Sequence, residues 1–243
     1  VRGGGWGPAL LVALGLAVAG WLVGRGWIGA RTVDRFVSVK GVAEREVAAD
    51  LALWPFQIVA TGNDLARTQA EINRSVQAIL RFLQRHGVDT AGAELQGLEV
   101  TDRVAQDIRE APSSAARFVV QQLMIVRSAT PPVVQLASQR MGELVDEGVV
   151  LRSGTGWGPA RPVFLFRGLN DIKPAMIAEA TANARKAAEE FARDSGSDLG
   201  GIRSASQGVF VILPRDQAPG INETDQIQKT VRVVSTVEYY LRD

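Results

Sequence analysis

Residues 176–201, MIAEATANARKAAEEFARDSGSDLGG, decide how the rest of the chain is read. Met176, Ala180, Ala184, Ala187 and Phe191 recur at steps of four and three, the spacing that places side chains on one face of a helix. That face is mostly alanine, so a helix built on it can lie very close to whatever it covers. On its solvated side Arg185 and Glu189, Lys186 and Glu190, and Glu189 and Arg193 stand at i,i+4 spacing. Asn170 or Asp171 is expected to cap the start, with Pro174 tolerable in the first turn, and Gly196 supplies a left-handed stop. Leu199-Gly200-Gly201 then leads into a strand-like run, residues 202–213, interrupted at Gly208.

Working back toward the N-terminus, residues 36–40 alternate, with Val37 and Val39 on one face and Phe36, Ser38 and Lys40 on the other, until Gly41 breaks the run. A second alternation over 47–61 sets Ala52, Trp54, Phe56 and Ile58 against Leu51 and Leu53, and the two runs are expected to pair. Pro55 lacks an N–H, which argues for an edge position or a bulge. Asn63 is expected to cap a helix over 64–86 whose buried stripe is Leu65, Ile72, Val76, Ile79 and Leu83, closed by Gly87. Residues 95–104 read as extended, 112–114 as a polar connection, and 117–127 as a strand covered on both faces. Thr130-Pro131 opens a helix lined by Val134, Leu136, Ala137, Met141, Leu144 and Val145 and stopped at Gly148. Short strands at 149–152 and 163–167 flank the loop SGTGWGPARP. In the last run, 231–242, Val231, Val233, Val237, Tyr239 and Leu241 share one face; Arg232, Thr236, Glu238, Tyr240 and Arg242 share the other. Hairpins alternating with three helices predict an α+β fold, the helices packed on largely antiparallel sheets.

The chain has 243 residues, 46% of them hydrophobic, enough to bury a full core in one or two domains. A formal net charge of +1, with no basic run interleaved with aromatics, excludes an electrostatic nucleic-acid surface. With no cysteine, disulfides, thiolate metal sites and cysteine nucleophiles are excluded. Residues 8–23, PALLVALGLAVAGWLV, carry no charge between Arg2 and Arg25, and Trp6, Trp21 and Trp27 lie near the two ends. That is close to the roughly 20 apolar residues that span a bilayer, with tryptophan at its interfaces. Residues 1–30 are therefore expected to be a membrane anchor preceding a domain over 31–243. A secretory signal peptide cut near Ile28-Gly29-Ala30 is the alternative.

Little in the chain reads as chemistry. His86, the only histidine, falls at a helix C-terminus, where the dipole favours its charged form and a surface placement. No catalytic triad can be built without it, and the G-x-S-x-G elbow is absent. SGTGWGP has the glycines of a phosphate loop but neither the lysine nor the following helix, so it reads as a hairpin with Trp157 as a local plug. Glu44, Glu46 and Asp50 share parity near a strand start and form the one candidate set for a cation site or an acid/base pair. The alternative is a set of solvated charges that guard a strand edge, with Arg45 projecting the opposite way. Asp216, Glu223 and Asp225 match no metal-loop spacing, and Trp54 and Phe56 read as core. No catalytic residue, cofactor or cofactor-binding residue is assigned.

Two separated stretches carry a family resemblance. VSVKGVAEREVAADLALWP, residues 37–55, and the alanine-rich helix that passes Ala184-Arg185 into the Leu199-Gly200 turn resemble, in that order behind an export segment, the SIMPL-domain family. The resemblance implies a bacterial protein of the inner membrane or periplasm. In such a protein the N-terminal segment crosses the membrane once, unless cleaved, and the domain lies outside the cytoplasm. It also implies a homo-oligomer or an unknown protein partner, a link to envelope or oxidative stress, and no established catalytic site. The expected function is thus assembly or partner binding by a membrane-anchored domain. The alternatives are a metal-dependent or hydrolytic enzyme using Glu44, Glu46 and Asp50, and a ring-shaped channel-forming assembly.

Overall fold

The structure is a computed structural model that describes residues 6–31, 35–105, 116–152 and 161–242, with side chains of the first stretch described over 11–23. The elements are α1 (Trp6–Arg31), β1 (Phe36–Ala48), β2 (Leu51–Gly62), α2 (Leu65–Arg85), β3 (Ala93–Asp102), β4 (Phe118–Ser128), α3 (Pro131–Ser138), α4 (Gly142–Asp146), β5 (Val163–Leu165), α5 (Leu169–Asp194), β6 (Asp198–Gln207), β7 (Val211–Pro214) and β8 (Gln228–Arg242), with a 3-10 turn at Glu223–Asp225. One sheet has the order β1-β8-β6, with β7 also on β8; the other has the order β3-β4-β2-β5. The pairs β2–β4, β2–β5, β3–β4, β6–β8 and β7–β8 are antiparallel. The α+β class is as expected, with five helices. Among the described residues no helix is long and apolar enough to cross a membrane; the described side chains of α1 stop at 11 and 23, short of the roughly 20 residues needed.

Contacts divide the chain into two units, one of Val1–Gly41, Ala180–Gly208 and Ser235–Asp243, the other of Val42–Glu179 and Val209–Val234. The second unit is built on a large-residue core. Trp54, Phe56 and Ile58 of β2 and Val120, Met124 and Val126 of β4 point to one face, because Trp54 pairs with Val126, Phe56 with Met124 and Ile58 with Gln122. α2 lays Ile72, Val76, Ile79, Phe82 and Leu83 on that face. Trp54 meets Phe56 at 4.7 Å and the edge of Phe82 at 6.3 Å between ring centroids, tilted geometries that aromatic quadrupoles favour. Leu65, expected on the stripe, is exposed. Asp64, rather than Asn63, caps α2 by accepting from the Arg67 amide at 3.0 Å; Asn63 accepts from the Arg117 amide instead.

The first unit is built on small residues. Along the first unit's part of α5 the buried positions are Ala180, Ala184, Ala188 and Ala192, and Met176, in the second unit, continues the row, a strict i+4 spacing that runs obliquely across the helix surface. The expected stripe used Ala187 and Phe191. Phe191 is exposed, and the row reaches Ala188 and Ala192 because it keeps stepping by four. Ala184 and Ala188 pack with Val37, Val237 and Tyr239. Gly41 does not end β1 but lies within it, directly under the helix. A β-carbon there would overlap the Ala180 carbonyl and the Ala184 amide and lie 2.9 Å from Ala184 Cβ.

Three further expectations need correction. β1 and β2 belong to different sheets. The Ala49-Asp50 link has neither residue of the Asn-Gly type that a two-residue hairpin needs, and its amides donate to Ile227 O at 2.8 Å and Leu165 O at 3.0 Å. The helix expected from Thr130 to Gly148 is two, α3 and α4, with Leu136 and Val145 exposed; Ser138 Oγ donates to Gln135 O at 2.7 Å, competing with the backbone ladder where α3 ends. β4 is covered on one face only: Val119, Gln121, Leu123 and Ile125 are half-exposed. Pro55 lies between the short β5 pairing and the bridge of Ile58 to Leu151. Gln57 and Val59, of the same parity, use their backbone groups toward that bridge, so the missing N–H falls on the interrupted side of β2, as an edge residue's would. The stretches 106–115 and 153–160, with Pro112 to Ser114 and Trp157, lie outside the described residues.

Gly41→Ala should lower stability by about 1–3 kcal/mol through overpacking. Gly201→Ala, where a β-carbon meets nothing within 4 Å, should change it by less than about 0.5 kcal/mol. Urea unfolding followed by circular dichroism would separate the two.

Candidate functional site

The candidate carboxylates Glu44, Glu46 and Asp50 each have their own surroundings. Glu44 lies 3.3 Å from Arg232 Nε, and Arg45 on the other face of β1 reaches Glu179 at 3.7 Å. The hydrogen bond and charge of Asp216, 2.9 Å from Arg215, raise the arginine's affinity for its proton, and the charge of Glu46 adds a little to that. Asp50 is beyond β1, in the bend before β2. Among the described residues no three His, Cys, Asp or Glu side chains converge as metal ligands would.

Asp50 instead ties down the start of α5. Its carboxylate accepts from the Arg167 amide at 3.1 and 3.2 Å, from the Gly168 amide at 3.1 Å and from Arg167 Nε at 3.1 Å. Those amides belong to the two residues before Leu169, the first residue of α5, so Asp50 fixes the approach to the helix and does not cap its first turn, the work expected of Asn170 or Asp171. Asn170 is engaged by Lys173 Nζ at 2.8 Å. Partial burial pushes the Asp50 carboxyl up, but the hydrogen bonds and charge of Arg167 and the Gly168 amide outweigh it and hold the group below its ordinary value.

Lys229 is a residue that sequence reasoning passed over. Its side chain is fully buried, and Nζ donates to Glu223 O and pairs with Glu223 Oε1, both at 2.5 Å. Parity held the signal: 229 precedes 231, 233, 235, 237 and 239 on the inward face of β8. The late acids are likewise divided among separate partners, Glu223 with Lys229 and Asp216 with Arg215, while Asp225 Oδ2 accepts from Asn222 N at 3.0 Å and Nδ2 at 3.2 Å.

His86 sits at the C-cap of α2 with its ring 4.7 Å from that of Phe82 and Nε2 3.0 Å from Glu143 Oε2. The hydrogen bond from His86 is the main cause that keeps Glu143 below the usual carboxylate range. The pair fastens α4 to α2, a structural use of the histidine. A cleft of about 500 Å³ is lined by Ser138, Gln139, Met141, Arg161, Phe164 and Asp225, among others. Ser138 Oγ is spent on Gln135 O and Asp225 on Asn222, so these side chains do not form a nucleophile with its base.

Two consequences are measurable. Because the folded Asp50 carboxyl is depressed, its stabilisation is complete above the unfolded value near 3.9 and fades as pH falls through the lower folded value. Asp50→Asn should therefore cost about 1 kcal/mol at pH 7, discounted for an exposed pair, and progressively less as pH falls through the depressed folded value, read from urea midpoints against pH. Glu223→Ala should destabilise by about 1–3 kcal/mol, since it strands a buried ammonium, whereas Lys229→Met should be close to neutral; thermal melts of the two variants test the ordering.

Compared with known proteins, the chain has no match among curated proteins. Residues 37–239 match the family model SIMPL, described as "Protein of unknown function (DUF541)", and that span begins inside β1 with the motif at Val37 and ends in β8 at Tyr239. It covers the second unit whole, part of the first and most of the chain's length, and on that match the chain belongs to the SIMPL family.

Proposed function

We propose that this SIMPL-family chain is fixed in a bilayer by α1 and works outside the cytoplasm, on the periplasmic side of a bacterial inner membrane. There it acts as an assembling or partner-binding domain rather than as a catalyst. The observation that carries the reading is residues 11–23 of α1, where Leu11, Val12, Leu14, Leu16, Leu22 and Val23 are all exposed. They cover somewhat more than half of the circumference, Ala13 and Ala17, also exposed, fill the rest, and a helix apolar on every side is stable only when something apolar covers it. Each such side chain gains about 1.5–3 kcal/mol on leaving water, and a lipid environment supplies that gain to all of them at once. The uncharged run continues in sequence back to Pro8, toward the length that crosses a bilayer.

Expressed in a bacterium, the full chain should stay in the membrane pellet through high-salt and alkaline washes. A reporter fused after Asp243 that works only outside the cytoplasm should be active. Recovery in the soluble periplasmic fraction would remove the anchor and keep the location. A reporter active only in the cytosol would overturn both.

A further inference from the structure

The segment between β7 and β8, residues 215–227, is exposed over most of its length yet tied down along it. Its ends meet where the Arg215 amide donates to Gln228 O at 3.4 Å. The Gln226 side chain accepts from Asp216 N at 3.2 Å and donates to Asp216 O at 3.1 Å. Asn222 and Asp225 close a capping box, and the buried Lys229 ammonium holds Glu223. Between these ties Ile221 N donates to Ala218 O at 3.1 Å with Gly220 at a φ of 81°, the type II turn that Pro219-Gly220 favours. A compact loop of this length with its ends together is an Ω-loop, a form that often carries function.

The 3-10 turn of the loop packs beside β5, and the loop helps to line the cleft of about 500 Å³, a size within the range of ligand sites. All of the cleft's described residues belong to the second unit. Its apolar part is Phe164, 3% exposed, buried Pro162, half-buried Met141 and Ile221. Most of its polar groups are engaged: Ser138 on Gln135 O, Gln226 on Asp216 and Asp225 on Asn222. Three are left over. Among the described residues Arg161 has no ion pair or hydrogen bond, and the side-chain amides of Gln135 and Gln139 have no partner.

We propose that this cleft takes the C-terminal end of a peptide whose last residue is apolar. This rests on the partner-binding reading above and names its site. A guanidinium without a partner presents a planar fork of donors that matches a carboxylate. Each glutamine offers the donor and the acceptor that a backbone amide needs, and the apolar part takes the last side chain. Asp225 does not compete for Arg161, because its Oδ2 accepts from Asn222 N at 3.0 Å and Nδ2 at 3.2 Å. A wall ordered beforehand leaves less freedom to lose on binding, and the buried Lys229 under the turn supplies that order.

Acetyl-Ala-Ala-Leu with a free carboxylate should bind the full chain in mild detergent, measured by isothermal titration calorimetry. Its C-terminal amide should bind about tenfold more weakly, the loss of one charge-assisted pair. Arg161→Ala, at an exposed position, should keep the circular dichroism spectrum and bring the free-acid peptide to the level of the amide. Octanoate, which has a carboxylate and an apolar body but no amide, should also bind about tenfold more weakly than the peptide. No binding of the free-acid peptide, equal affinity for acid and amide, or an Arg161→Ala chain that binds as the wild type does overturns the site. Octanoate bound as tightly as the peptide overturns the peptide as its ligand and assigns the cleft to small organic acids. None of these outcomes touches the anchor or the location, which the fractionation and the reporter read separately. A chain that takes the peptide yet reports only from the cytosol keeps the cleft and loses the extracytoplasmic reading.

Discussion

Everything in the first unit depends on how closely α5 lies on β1. At Gly41 there is no room for even one carbon between strand and helix, because the Ala180 carbonyl and the Ala184 amide already occupy its place. Contact at that distance brings backbone atoms into dispersion range of one another, and only glycine below and alanine above permit it. It also costs little to order, since neither residue loses side-chain rotamers on burial. The alanine row therefore makes up in proximity and low entropy cost what it lacks in apolar area.

The second unit solves the same problem by volume. Trp54, Phe56 and Phe82 fill the space between α2 and its sheet, with Ile72, Ile79 and Leu83 around them. Polar groups enter this unit as fasteners: Asp50 on the two residues before α5, His86 with Glu143 between α2 and α4, and buried Lys229 on the 3-10 turn. Of these, Asp50 and His86 are groups that the sequence offers to be weighed as chemistry and Lys229 is not, and each has its partner within the fold. Among the described residues, the apolar side chains left exposed include those of α1 and Leu95, Leu98 and Val100 of β3. Function is sought on the α1 surface and in the cleft beside the 3-10 turn, where Arg161 has no ion pair among the described residues.

Periodicity made most elements legible. α2, β4, α5 and β8 follow from spacing alone, and the break at Gly208 separates β6 from β7 as read. Spacing failed where a distant partner decided the outcome. Gly41 looks like a breaker until a helix is seen to lie over it. The parity that groups Asp50 with Glu44 and Glu46 gives no sign of the Arg167 and Gly168 amides that meet it. Phe191 loses its place on the stripe to Ala192 because the sheet underneath selects an oblique i+4 row, which one helix's pattern cannot reveal. The β1–β2 pairing failed for a similar reason, the Ala49 and Asp50 amides being satisfied by Ile227 and Leu165 from much later in the chain. The exposure of β3 was likewise hidden, since Leu95, Leu98 and Val100 read as ordinary strand residues until the edge of the helix layer is located.

A small-residue contact that fixes α5 on its strand is the claim beneath the rest, and proton–proton proximity measures it directly. With alanine methyls labelled in the full chain, a nuclear Overhauser effect between the Gly41 α-protons and the Ala184 methyl should be among the strongest long-range signals. Its absence, with rapid amide exchange through Ala180 and Ala184, would contradict the account.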